Sequence, residues 1–142
     1  MPQYVDGFVL PIQTSKVAAY RKIATAASRV WMDHGALAYV EAVGEDLDQK
    51  QMVAFPKLAG AKKGETVIFA WVVYKSRAHR DRVNAAIMKD RRILEMMSGK
   101  AMPFDCTRMA YGGFEVLVQA AARAKAKARS KAAGSSKSKA GK

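Results

Sequence analysis

From Thr66 to Tyr74 the chain runs for nine residues without a charge, as Thr-Val-Ile-Phe-Ala-Trp-Val-Val-Tyr. β-branched and aromatic residues dominate the run. That composition and length fit a strand covered on both faces at the centre of a sheet. It is too short to cross a bilayer as a helix, which takes roughly 20 apolar residues, and no other apolar run comes closer. A central strand of this kind commits the chain to a sheet and requires partners from elsewhere in the sequence.

Tyr4 to Ile12 supplies one partner: β-formers interrupted by Asp6 and Gly7, with Pro11 near the end. Thr14 or Ser15 is placed to cap a following helix, in which Val17, Tyr20, Ala24, Ala27 and Trp31 recur at three- and four-residue steps and so share one face. Gly35 stands where a left-handed residue closes such a helix. Leu37 to Val43 reads as a second strand, with Glu41 the one charge in an apolar run. Gln49 to Gly64 is irregular and reads as a long connection with a short strand or turn. Ser76 caps a second helix running to about Asp90, on which Val83, Ala86 and Ile87 face inward. A looser stretch follows through Met96, Met97 and Gly99. Arg108 to Val116 forms the last strand, where Gly112-Gly113 signals a bulge or a close backbone approach.

The order strand, helix, strand, strand, helix, strand is the split βαβ arrangement of a ferredoxin-like α+β domain with an antiparallel sheet. Such a domain leaves one sheet face bare. A bare face holding Trp71, Phe69 or Tyr39 would be costly in water, so two copies are expected to pack sheet to sheet as a homodimer, a dimeric α/β barrel.

The 142-residue length is consistent with one core. The net charge of +13 is unevenly placed: eight basic and no acidic residues fall in 121–142, leaving +5 on the rest. The domain is therefore expected to span 1–118, followed by a basic Ala/Lys-rich tail over 119–142, partly helical and then disordered. Met1-Pro2-Gln3-Tyr4 shows no secretory signal, and the expected compartment is the cytoplasm, without membrane insertion. Cys106, the single cysteine, excludes an intramolecular disulfide.

Several segments in order carry a family resemblance: Tyr4-Val5-Asp6-Gly7-Phe8-Val9, His34-Gly35-Ala36-Leu37, Glu65 to Trp71, Met102-Pro103-Phe104-Asp105 and Arg108-Met109-Ala110-Tyr111-Gly112-Gly113-Phe114. Over residues 3–117 the chain resembles the YbaA-like proteins, a bacterial family of unknown function. The resemblance implies a ferredoxin-like fold of the dimeric α/β-barrel class. It implies no reaction and no catalytic residues.

His34 and His79 lie in no metal-ligand spacing, so no metal is expected; His79 reads as solvated and His34 as closing the first helix. Neither a GxxxxGK[ST] nor a GxGxxG motif is present, so no nucleotide cofactor is expected. No catalytic motif identifies the chain as an enzyme. The candidate ligand pocket comprises Glu41, Asp105, Arg108 and Tyr111, which strands two and four could bring to a cavity at the dimer interface, with Trp71 as an aromatic wall. The competing structural reading pairs Arg108 with Asp105 or Glu41 and leaves Tyr111 hydrogen-bonded at the sheet edge. Asp6 joins the set if it points inward. The expected partner is then a small polar molecule. The alternative is nucleic acid, with Arg123, Lys125, Lys127, Arg129 and Lys131 neutralising phosphates weakly and without sequence preference.

Overall fold

The computed structural model describes residues 1–99 and 101–122. Strands β1 (Tyr4–Gln13), β2 (Ala38–Val43), β3 (Glu65–Tyr74) and β4 (Ala110–Glu115) form one sheet in the order β2-β3-β1-β4. Every neighbouring pair is antiparallel. Helices α1 (Val17–Asp33), α2 (Phe55–Ala59), α3 (Arg77–Ile87) and α4 (Arg91–Met97) complete the domain. This is the ferredoxin-like α+β topology, and β3 is its central partner as the uncharged run requires.

Residues directly opposite in antiparallel strands point to the same side. The register Tyr4↔Tyr74, Phe8↔Ala70 and Leu10↔Ile68 therefore defines a face covered by α1, α3 and α4, on which these residues are buried or half-buried. β2 adds Tyr39 and Glu41 to that face, and β4 adds Tyr111 and Gly113. Two clusters fill it, one around Tyr4, Val30, Val72, Tyr74, Val83 and Ile87, the other around Leu10, Ile12, Tyr20, Ala24 and Ile68.

The opposite face carries Val5, Gly7 and Val9 from β1, Phe69, Trp71 and Val73 from β3, Ala38, Val40 and Ala42 from β2, and Ala110, Gly112 and Phe114 from β4. None of these residues is charged. Phe69 is 45% exposed and Phe114 62%. β3 is thus covered on one face only within the subunit, contrary to the expectation from its composition, and Tyr39 lies on the helix side rather than the bare one. At one end of the open face α2 packs on β1 and β3, with Phe55 5.9 Å from Phe69, and there Pro11 and Val67 are buried.

Several elements depart from the pattern-based expectation. No cap side chain bonds the start of α1; Thr14–Lys16 forms a 3-10 turn instead, and Thr14 N–H donates to Gly64 O at 3.0 Å. A missing cap costs about 1 kcal/mol, which is less than the roughly 1.5–3 kcal/mol from burying one large apolar side chain such as Val30. The connection before β3 contains the helix α2, with Pro56 in its first turn and Gly60 left-handed at φ 67°. Ser76 does cap α3, accepting from His79 N–H. The second helix, however, stops at Ile87, and Asp90 caps a separate α4 by accepting from Arg92 N–H at 2.8 Å, so Met96 and Met97 are helical. β4 starts at Ala110 after a 3-10 turn at Cys106–Arg108. Gly35, at φ 108°, closes α1 as expected.

Candidate functional site

Helix α1 crosses β2 and β3 with Tyr20, Ala24 and Trp31 toward the sheet, leaving a cavity of about 250 Å³. Its floor is Phe8, Tyr39, Glu41 and Val72, its wall is α1, and its roof is Ile93, Met96 and Met97 with Met102, Phe104 and Met109. The lining is apolar apart from one group. Tyr20 Oη donates to Glu41 Oε1 at 2.6 Å, and Tyr39 Oη donates to Oε2 at 2.7 Å. Burial, and then the Glu41 carboxylate, hold both phenols well above the usual tyrosine range, so both stay protonated donors. A second hollow of about 260 Å³ shares Tyr20, Ala24, Tyr39 and Glu41, with Arg21, Thr25 and Ser28 beyond them. The carboxylate and its two phenols are thus the common wall of an apolar and a polar space.

The remaining candidates do not converge on Glu41. Arg108 Nη1 and Nη2 grip Glu65 at 2.8 and 2.9 Å, and Nη2 also donates to Gly60 O at 2.7 Å. Arg108 pairs with neither Asp105 nor Glu41; it ties the segment before β4 to the end of α2 and the start of β3. That hydrogen bond, with Lys62 N–H, lowers the Glu65 carboxyl from its ordinary value of 4.5 to about 2. Asp105 caps its own turn, accepting from Thr107 N–H at 2.9 Å. Arg108, Asp105 and Glu65 line a polar hollow of about 300 Å³ beside Met102 and Phe104. Trp71 stands on the opposite side of the sheet from Glu41.

Tyr111 belongs to a third group. Asp6, 1% exposed, points toward the helices, where Arg80 Nη1 donates to its Oδ1 at 2.7 Å and Tyr111 Oη to its Oδ2 at 3.2 Å. Arg80 also donates to Tyr111 Oη at 2.9 Å and lies over the Tyr4 ring at 4.9 Å. Burial opposes the charge on Arg80, but hydrogen bonding to Asp81 and the Asp6 charge outweigh it.

His79 is half-buried rather than solvated: Nδ1 accepts from Lys75 N–H at 2.9 Å and the ring meets Tyr74 edge-on. His34 closes α1 and contacts Asp90 Oδ2 at 2.7 Å. Among the described residues no three His, Cys, Asp or Glu side chains are placed to hold a metal, and no helix is long and apolar enough to cross a membrane. Arg123, Lys125, Lys127, Arg129 and Lys131 lie outside the described residues.

The site residues missing from the sequence reading are Tyr20 and the methionine roof. Tyr20 was legible only as part of the α1 apolar face. Its phenol meets a carboxylate 21 positions away, a contact no local pattern encodes.

Residues 3–106 match the family described as "Protein of unknown function (DUF1428)". The chain is 39% identical over 116 residues to the uncharacterized protein YbaA of Escherichia coli K12, covering 82% of this chain and 97% of YbaA, and the same figures hold for YbaA of Shigella flexneri. Among solved structures, a dimeric ferredoxin-like protein from an uncultured marine organism is similar at TM-score 0.46 and 13% identity, over 86% of this chain and 100% of that one. The designed protein Foldit4 is similar at TM-score 0.40 and 11% identity, over 81% of this chain and 99% of that one.

Proposed function

The chain belongs to the DUF1428 protein family, and on that premise, which supplies no reaction, we propose that it is a homodimeric small-molecule binding protein. Its ligand site is the cavity between α1 and the sheet. The observation that carries this reading is a 250 Å³ apolar space whose wall holds one carboxylate gripped by two phenols. Binding sites combine an apolar lining with a few placed polar groups in this way. The ligand accordingly has an apolar body with one hydrogen-bonding head, and it lies within a subunit, not between sheets. Arg108 and Asp105 shape a neighbouring hollow and act on the site only through the Met102–Met109 segment.

The occupant of the open sheet face is a second copy. Between Val5 and Val9 of β1 and Phe69 and Val73 of β3 the face carries no charged side chain, so that part can be laid on itself with no like-charge repulsion, and an isologous pair would cover Phe69, Trp71 and Phe114 on both sides at once. The domain that does this spans 1–118.

The test of the ligand site uses the two tryptophans, of which Trp31 lines the cavity and Trp71 does not. In a Trp71→Phe variant, toluene should shift Trp31 emission saturably, and a further Ala27→Phe, which fills the cavity, should remove the response. An unsaturable response, or one indifferent to Ala27→Phe, overturns the site.

The concentration of eight basic residues in 121–142 supports a second reading, phosphate contact with nucleic acid. It requires that cutting the chain after Ala120 abolish salt-sensitive RNA and DNA binding; unchanged affinity after the cut removes it.

A further inference from the structure

Glu41 is the one charged side chain lining the apolar cavity among the described residues. Both of its oxygens accept from phenols, and no Lys, Arg or His of the described residues forms an ion pair with it. Arg21, which lines the adjoining hollow, is not paired with it either. A half-buried carboxylate without a cation is costly. Two neutral donors offset part of the lost hydration but leave the charge uncompensated. Each carboxylate oxygen also keeps acceptor capacity beyond its one phenol.

The rest of the lining offers what an organic cation needs. Phe8, Trp31 and Phe104 bring aromatic rings to the cavity, and aromatic faces attract cations. Methionines adapt to the shape of an apolar body. An anionic ligand would meet an unpaired like charge, and a neutral alcohol could satisfy a lone pair while leaving the charge as it stands.

Resting on the ligand-binding reading above, we propose that the ligand is a hydrophobic amine, bound as a monocation with its ammonium group against Glu41 and its apolar body under Met96 and Met102. Scaled from a 150 Å³ cavity that holds benzene, the space takes about ten non-hydrogen atoms. Tyr20 and Tyr39 are positioning residues that hold the carboxylate toward the cavity.

The experiment is calorimetric titration of the full chain with phenethylamine, phenethyl alcohol and phenylacetate, three probes with the same body and different charge. The amine should bind about tenfold more tightly than the alcohol, with the acid weakest, as expected for pairing a partly desolvated charge. Glu41→Gln should bring amine and alcohol within about twofold of each other. Asp46→Asn removes the same charge from an exposed position outside the cavity and should keep the preference. Alcohol or acid binding as well as the amine overturns the amine class while leaving the cavity in place. A preference that survives Glu41→Gln, or is lost in Asp46→Asn, overturns the counterion role. Binding by none of the three overturns the cavity reading itself.

Discussion

Asp6 on β1 and Arg80 on α3, 74 positions apart, meet at 2.7 Å on the helix side of the sheet, with their side chains 2% and 12% exposed. The pair is the only charged contact buried in the helix-to-sheet interface among the described residues, and Tyr111 closes it by donating to Asp6 and accepting from Arg80. It locks α3 to β1 and β4 together, because breaking any one contact leaves a polar group buried.

Asp6→Ala should destabilise the domain by about 3 kcal/mol in urea unfolding, the low end for breaking a buried pair, because Arg80 retains Asp81 and Tyr111. The double variant Asp6→Ala, Arg80→Met should recover most of the loss. A double variant as unstable as the sum of the singles would show that the two residues act independently.

The two adjacent glycines of β4 should respond differently to alanine. A Cβ at Gly113 would stand 2.7 Å from Tyr4 Cε2, whereas one at Gly112 would meet Phe114 Cε1 at an ordinary 3.7 Å. Gly113→Ala should therefore cost about 1–3 kcal/mol through overpacking. Gly112→Ala should stay within about 0.5 kcal/mol. Thermal unfolding of the two variants side by side checks the order.

Glu65 gives stability a defined acid limb. Its carboxyl titrates at about 2 when folded against an ordinary 4.5, so the unfolded chain takes up the proton first as the pH falls. The contribution is full above 4.5 and disappears as the pH falls toward 2. Wild type should exceed Glu65→Gln in stability near neutrality, and the two unfolding curves should draw together below pH 4.5 and meet only near pH 2. A constant offset across that range would place the Arg108–Glu65 contact outside the folding balance.

Charging the open face should separate assembly from folding. Phe69→Lys places an ammonium on a surface already 45% exposed in the subunit, a small cost to the monomer but a like-charge pair across an isologous contact. Sedimentation equilibrium should show wild type as a dimer and the variant as a monomer, and the concentration dependence of the wild-type Tm should vanish in the variant. A monomeric wild type removes the homodimer.

What the amino-acid order determined by itself is the four strands and the two longest helices, in their sequence, because strands and amphipathic helices are written in local spacing: the Thr66–Tyr74 run, the Tyr20, Ala24 and Ala27 stripe, Gly35 past the end of α1, and Ser76 at the start of α3. Local signals also failed where two solutions compete locally. Thr14–Lys16 took a 3-10 turn because Thr14 N–H is satisfied by Gly64 O, and Asp90 opened a further helix, α4, in a stretch that reads as loose. Which side of the sheet each residue faces was settled by register, and a shift of one residue would exchange every side chain between faces. Hence Glu41 and Tyr39 stand under α1 while Trp71 stands on the open side, and Arg108 finds Glu65, 43 positions away, instead of Asp105. Charges and phenols carry no sequence mark of their partners. Only the tertiary fold, by withdrawing them from water, decides which ones must meet.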